Sequence, residues 1–249
     1  MARDSRRPAQ QPTRDPSCTA AEGEGSWGAS RTLVLILGTL GGVAGALHGL
    51  SEIQKGNVST EGHLLSSVGA FTLVTNYLAT GVAAVILGTA GVVWTVGFVH
   101  LRHGPLVFLG LFLALFCVGG GIAQAPFILL GWGVATRINK PVTWFDRPPL
   151  ASWRTALSTT WLPLLVSSLA PLVAGMGIWM ILLPPGVEHG ASAAQYLCWS
   201  LVAISALLLP CAALAGLARD ATAGVGNEAS AGRPEESMLI ESGRDGGSR

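Results

Sequence analysis

Apolar residues run along this chain in long unbroken stretches, not in the short alternations of a soluble fold. Leu33 to Leu50 is the first, 18 residues without Asp, Glu, Lys or Arg. Leu64–Val99 (36 residues), Pro105–Thr136 (32), Trp161–Leu183 (23) and Ala193–Ala218 (26) follow, equally free of those four residue types. At about 1.5 Å per residue, roughly 20 apolar residues cross a hydrocarbon core of about 30 Å. The pattern predicts an all-α fold: a polytopic transmembrane helical bundle of about six apolar segments, at 33–50, 76–100, 105–121, 122–137, 161–183 and 193–218. Polar tails, 1–30 and 219–249, flank it; they lack apolar periodicity and are expected to be disordered.

Two runs are too long for one span and too short for two comfortable ones. In Leu64–Val99 the span is placed from Asn76 to His100, with Leu64–Thr75 as a helix on or dipping into the outer surface; two short spans are the alternative. In Pro105–Thr136 the sequence Gly119-Gly120-Gly121, Gln124 and Pro126 interrupts the apolar stretch. Glycine eases a tight turn, and proline lacks an N–H and disfavours helix before it. The chain is therefore expected to reverse near 119–126. The two arms are either tilted short spans or a re-entrant hairpin, because irregular backbone at membrane depth needs protein or water beside it. Pro163, Pro171 and Pro210 are expected to kink the last two spans, and Leu150–Thr160 to lie along the inner surface as an interfacial helix.

Charge sharpens the picture. Only 12% of the residues are charged, against about 25% in ordinary soluble domains. Nine of the 29 charges fall in residues 1–31 and ten in 219–249, leaving ten for the 187 between. Basic residues favour cytoplasmic loops. With the N terminus inside, Arg102, Arg137, Lys140, Arg147 and Arg154 fall in inner loops and Lys55 alone in an outer one, which predicts a multi-pass protein of the cell membrane with both termini cytoplasmic. Trp161, Trp179 and Trp199 stand near span ends, where aromatic belts form, while Trp94 and Trp132 sit deeper and read as packing.

Chemical motifs are sparse. Cys18, Cys117, Cys198 and Cys211 are scattered without a CxxC spacing, so neither a disulfide framework nor a cysteine metal site is expected. There is no HExxH or GxSxG. No catalytic residue, cofactor or metal is expected, and a net charge of +1 argues against nucleic acid as a partner.

Two features of the first span stand out. Gly38, Gly41, Gly42, Gly45 and Gly49 have small-xxx-small spacing, the pattern that lets helices approach closely. They serve packing within the chain or against a second copy or another membrane protein, the partners expected besides the bilayer. On a similar face His48 precedes Glu52 by four residues, within reach on a helix. In the predicted topology His63, Asn76, Gln124, Glu188 and His189 gather at the same outer side. One reading makes His48, Glu52, Asn76 and Gln124 a polar cluster in an outward-facing cavity, with a proton or metal site using His48 and Glu52. The other has His48 and Glu52 capping a span at a solvated interface, where ionisable groups cost little.

The run His48-Gly-Leu-Ser-Glu52 with Gly56-Asn57, the stretch Ala70–Gly81 around Asn76, and Gly119-Gly-Gly121 with Pro126 together resemble a group of uncharacterised integral membrane proteins of bacteria and archaea, over about residues 33–140. The resemblance implies a membrane protein of prokaryotic source and brings no known activity. Gln124-Ala stands before Pro126 where the group has a more proline-rich turn. The functions that remain are a structural, accessory or partner-binding role in the membrane, or transport of a small solute or ion through the outer polar cluster.

Overall fold

A computed structural model describes residues 28–60, 62–65, 70–138, 140, 145, 150–182 and 192–231. Within them lie six α-helices: α1 (Ala29–Gln54), α2 (Tyr77–Phe98), α3 (Gly104–Cys117), α4 (Ala125–Ala135), α5 (Leu150–Leu182) and α6 (Ala193–Ala231). The all-α class expected from the apolar runs holds. α1, α2, α5 and α6 are long and apolar enough to cross a membrane. α3 and α4, with 14 and 11 residues, are about 21 and 17 Å long and fall short of a ~30 Å core.

α1 sits at the centre, and glycine decides its neighbours. A Cβ on Gly42 would stand 2.6 Å from the Gly88 carbonyl oxygen, and one on Gly49 2.6 Å from that of Gly81. The relation is reciprocal, so α1 and α2 run antiparallel with their backbones in direct contact. The other glycines of α1 accept the short hairpin. Gly38 takes Phe108, Gly41 takes Phe112 and Ile128, and Gly45 takes Leu115. α3 thus runs parallel to α1 and α4 antiparallel to it. All five α1 glycines are occupied within the chain.

At one end of the bundle the chain forms a small sheet. β1 (Leu64–Leu65), β2 (Ala70–Thr72) and β3 (Val118–Gly121) pair antiparallel in that order, with a bulge between Ala70 and Thr72. This corrects the expectation of a surface helix over Leu64–Thr75. Phe71, Thr72, Val74 and Thr75 favour strand. The unpaired backbone of the α3–α4 break supplies the other decisive factor. Leu73 N donates to the Cys117 carbonyl at 2.8 Å, and β2 pairs with Val118 and Gly121. The sheet is how the hairpin satisfies its non-helical backbone. A 3-10 turn, Ile122–Gln124, leads into α4, with Pro126 in its first turn.

At the opposite end, Asp220 of α6 accepts hydrogen bonds from Ala29 N (2.6 Å) and Ser30 N (2.9 Å), capping the first turn of α1. Arg219 lies over the Trp161 ring, 5.2 Å from its centroid. The helical region therefore begins at Ala29 and continues past 218 to Ala231. The expected tail boundaries at 30 and 219 are corrected accordingly, because Asp220 and Arg219 are bound into the bundle. Residues 1–27 and 232–249 lie outside the described residues. α5 likewise starts at Leu150, so 150–160 continues the span and is not a separate interfacial helix; Pro163 and Pro171 lie inside it, as Pro210 does inside α6.

Candidate functional site

Glu52 is an acidic residue two positions from the end of an apolar helix, where solvation would be expected. Its side chain is fully buried. The reason is the hairpin break: β3 passes directly over it. A Cβ on Gly119 would stand 2.7 Å from Glu52 Oε1 and 2.9 Å from Oε2, and Gly119 has φ +104°, a conformation that L side chains rarely adopt. Only glycine fits both the space and the backbone here. The solvated-cap reading of Glu52 is thereby set aside.

Few groups answer the carboxyl. His48 Nε2 is 3.9 Å from Glu52 Oε1, beyond hydrogen-bond reach but close enough for small rotations to join them. The Thr80 hydroxyl is within interaction range, yet it donates to the backbone carbonyls of Asn76 and Tyr77 at 3.0 and 3.1 Å. Lys55 acts on both side chains from a distance while its ammonium rests 4.2 Å from the Tyr77 ring centroid. Both carboxyl oxygens and His48 Nε2 are left without a hydrogen-bond partner. Buried polar atoms in folded proteins are nearly always satisfied, so three orphans in one contact need an explanation.

The remaining predicted residues divide. Gln124 and His48 line one cleft, of about 170 Å³, with apolar residues of α1, α4, α5 and α6. Asn76 does not join them. Its carbonyl oxygen Oδ1 accepts from Ala79 N at 3.0 Å as the cap of α2, and its amide donates to Asn57 Oδ1 at 2.6 Å. His63 bonds the Thr72 carbonyl through Nδ1 at 3.0 Å. Glu188 and His189 lie outside the described residues. Gly120 and Gly121 shape β3, and Pro126 starts α4.

Among the described residues no group of three or more His, Cys, Asp or Glu side chains is placed to hold a metal ion. His48 and Glu52 are two donors, enough to share a proton. Thr80 and Gly119 were not singled out from the sequence as parts of the Glu52 site; the polar Thr80 four residues after Asn76 was the one signal for the former. Below Glu52 the bundle closes, with Gly49 against Gly81 and Gly45 against Leu115. Comparison with family models, curated proteins and solved structures finds no match.

Proposed function

We propose that this membrane protein is a multi-pass protein of the cell membrane, without enzymatic activity, that takes up and releases a proton at the His48–Glu52 pair as part of handling a small solute or ion from the outer side. One observation carries the reading: Glu52 is fully buried with both oxygens unpartnered beside an equally unpartnered imidazole nitrogen. Ionisable groups inside a membrane bundle are expensive and mark ion and proton paths. A half-helix break over such a group is the arrangement by which membrane proteins build sites at non-helical backbone.

The distribution of basic residues supports an orientation with the sheet end outside and the Asp220 end, with both tails, in the cytoplasm. The likeness to the group of uncharacterised bacterial and archaeal membrane proteins belongs to the same proposal. Thiol labelling of cysteines introduced at Asn57 and Arg102 in a cysteine-free background tests the orientation: 57 is to label from outside and 102 is not.

The test of function is charge movement in proteoliposomes after an outward-side pH step. The unaltered protein is to give a transient that Glu52→Gln abolishes at equal protein level. The closed packing beneath Glu52 favours a second reading, an accessory or partner-binding protein whose site is loaded and emptied from one side with no net transport. A transient that decays without steady current, still lost in Glu52→Gln, would select it. Charge movement that is absent in the unaltered protein, or unchanged in Glu52→Gln, would end the proton-site reading.

A further inference from the structure

α1 and the α5–α6 hairpin come together near Ala29, Trp161 and Gly216 and part toward the sheet end, leaving the cleft that His48 lines. Its walls are mostly apolar and, among the described residues, include no Asp, Glu, Lys or Arg. Its rim holds Leu47 and Trp199, which are 40% and 44% exposed and, in a spanning bundle, face acyl chains. His48 and Gln124 line it together with the indoles of Trp179 and Trp199, whose N–H groups can only donate. The Cys198 thiol, also in the wall, is already committed to the Gly175 carbonyl at 3.2 Å.

We propose that this cleft binds a neutral single-chain amphiphile from the bilayer, its small hydrogen-bonding ring set against His48 and Gln124 and its chain leaving between Leu47 and Trp199. Size limits the head group. An apolar hole of about 150 Å³ takes one benzene ring, so 170 Å³ takes one ring and little more. A protein helix, about 10 Å across, is excluded on the same ground. Charge limits it further: among the described lining residues a phosphodiester or carboxylate head would find no Lys or Arg, and an ammonium head no Asp or Glu. Imidazole and carboxamide can each donate or accept, so a phenol or a quinone ring suits them. Apolar walls opening between the exposed Leu47 and Trp199 favour arrival from the membrane and not from water. The inference is independent of proton exchange at Glu52, and the charge-movement test and the following one can fail separately.

The full-length protein in phosphatidylcholine nanodiscs is photolabelled with 4-decylphenol carrying a diazirine in its chain, and the adducts are located by mass spectrometry. Adducts are expected on Leu47, Met176 and Val202, reduced at least fivefold by excess unlabelled 4-decylphenol and not by equal decane. Val202→Trp, which fills the cleft, is to reduce adducts at Leu47 to the same degree. If that variant fails to accumulate, the competition in the unaltered protein decides alone. Equal labelling of lipid-facing Ile86 and Leu207, 62% and 75% exposed, or equal competition by decane, would overturn the proposal.

Discussion

Gly119 stands over Glu52 so closely that a Cβ on the glycine would lie 2.7 Å from the carboxyl oxygen Oε1. The α3–α4 break and the one fully buried carboxyl of the described residues are thus a single feature. Gly119→Ala is expected to destabilise the protein by about 1–3 kcal/mol, from the +104° φ and the contact together. Shortening Glu52 to Ala in that background is to restore part of the loss, read as non-additivity in a double-mutant cycle of thermal unfolding in detergent. Strict additivity would mean that the two residues do not press on each other.

Glu52→Leu is expected to leave stability unchanged or to raise it, because a buried polar group without hydrogen bonds does not hold the fold together. The same substitution is to abolish charge movement. Thermal unfolding beside the flux assay separates the two effects. A large loss of stability would assign Glu52 a structural role.

Much of this bundle was legible in the chain. The apolar runs locate the four long helices, and Gly119-Gly-Gly121 with Pro126 marks the place where α3 gives way to α4. The sheet was hidden, because Leu64–Thr75 lacks the alternation of a half-buried strand and is long enough to read as a helix; the partner edge of β2 lies 46 or more positions away, on β3. The burial of Glu52 was hidden for the same reason: what covers it is remote in sequence. His48–Glu52 adjacency, by contrast, follows from helical spacing alone, whereas the capping of α1 by Asp220 spans 191 positions and leaves no local signature.

Asp220 tests how far the bundle extends. Asp220→Ala is expected to cost about 1 kcal/mol through loss of the two hydrogen bonds to the first turn of α1. Truncation after Ala218 is to destabilise at least as much, and truncation after Ala231 hardly at all, as measured by thermal unfolding. Equal stability of the two truncated chains would contradict the Asp220 contact.

The glycines of α1 separate close packing from mere flexibility. Gly49→Leu forces α1 away from Gly81 and Ala84 and is expected to destabilise by roughly 1–3 kcal/mol. Gly110→Ala, where an added Cβ meets nothing within 4 Å, is to be neutral or slightly stabilising. Because the α1 glycines are all occupied within the chain, Gly49→Leu is to leave any self-association unchanged in cross-linking at equal folded concentration. A selective loss of cross-linked dimer would place Gly49 in an interface between copies.

The most direct measurement is infrared difference spectroscopy of the purified, lipid-reconstituted protein across an acid–base step, with the Glu52→Gln protein as reference. A reversible carboxylic-acid carbonyl band that is present in the unaltered protein, shifts in heavy water and is missing from Glu52→Gln is the predicted result. A spectrum identical for the two proteins would mean that the Glu52 carboxyl exchanges no proton, and the site proposed here would not exist.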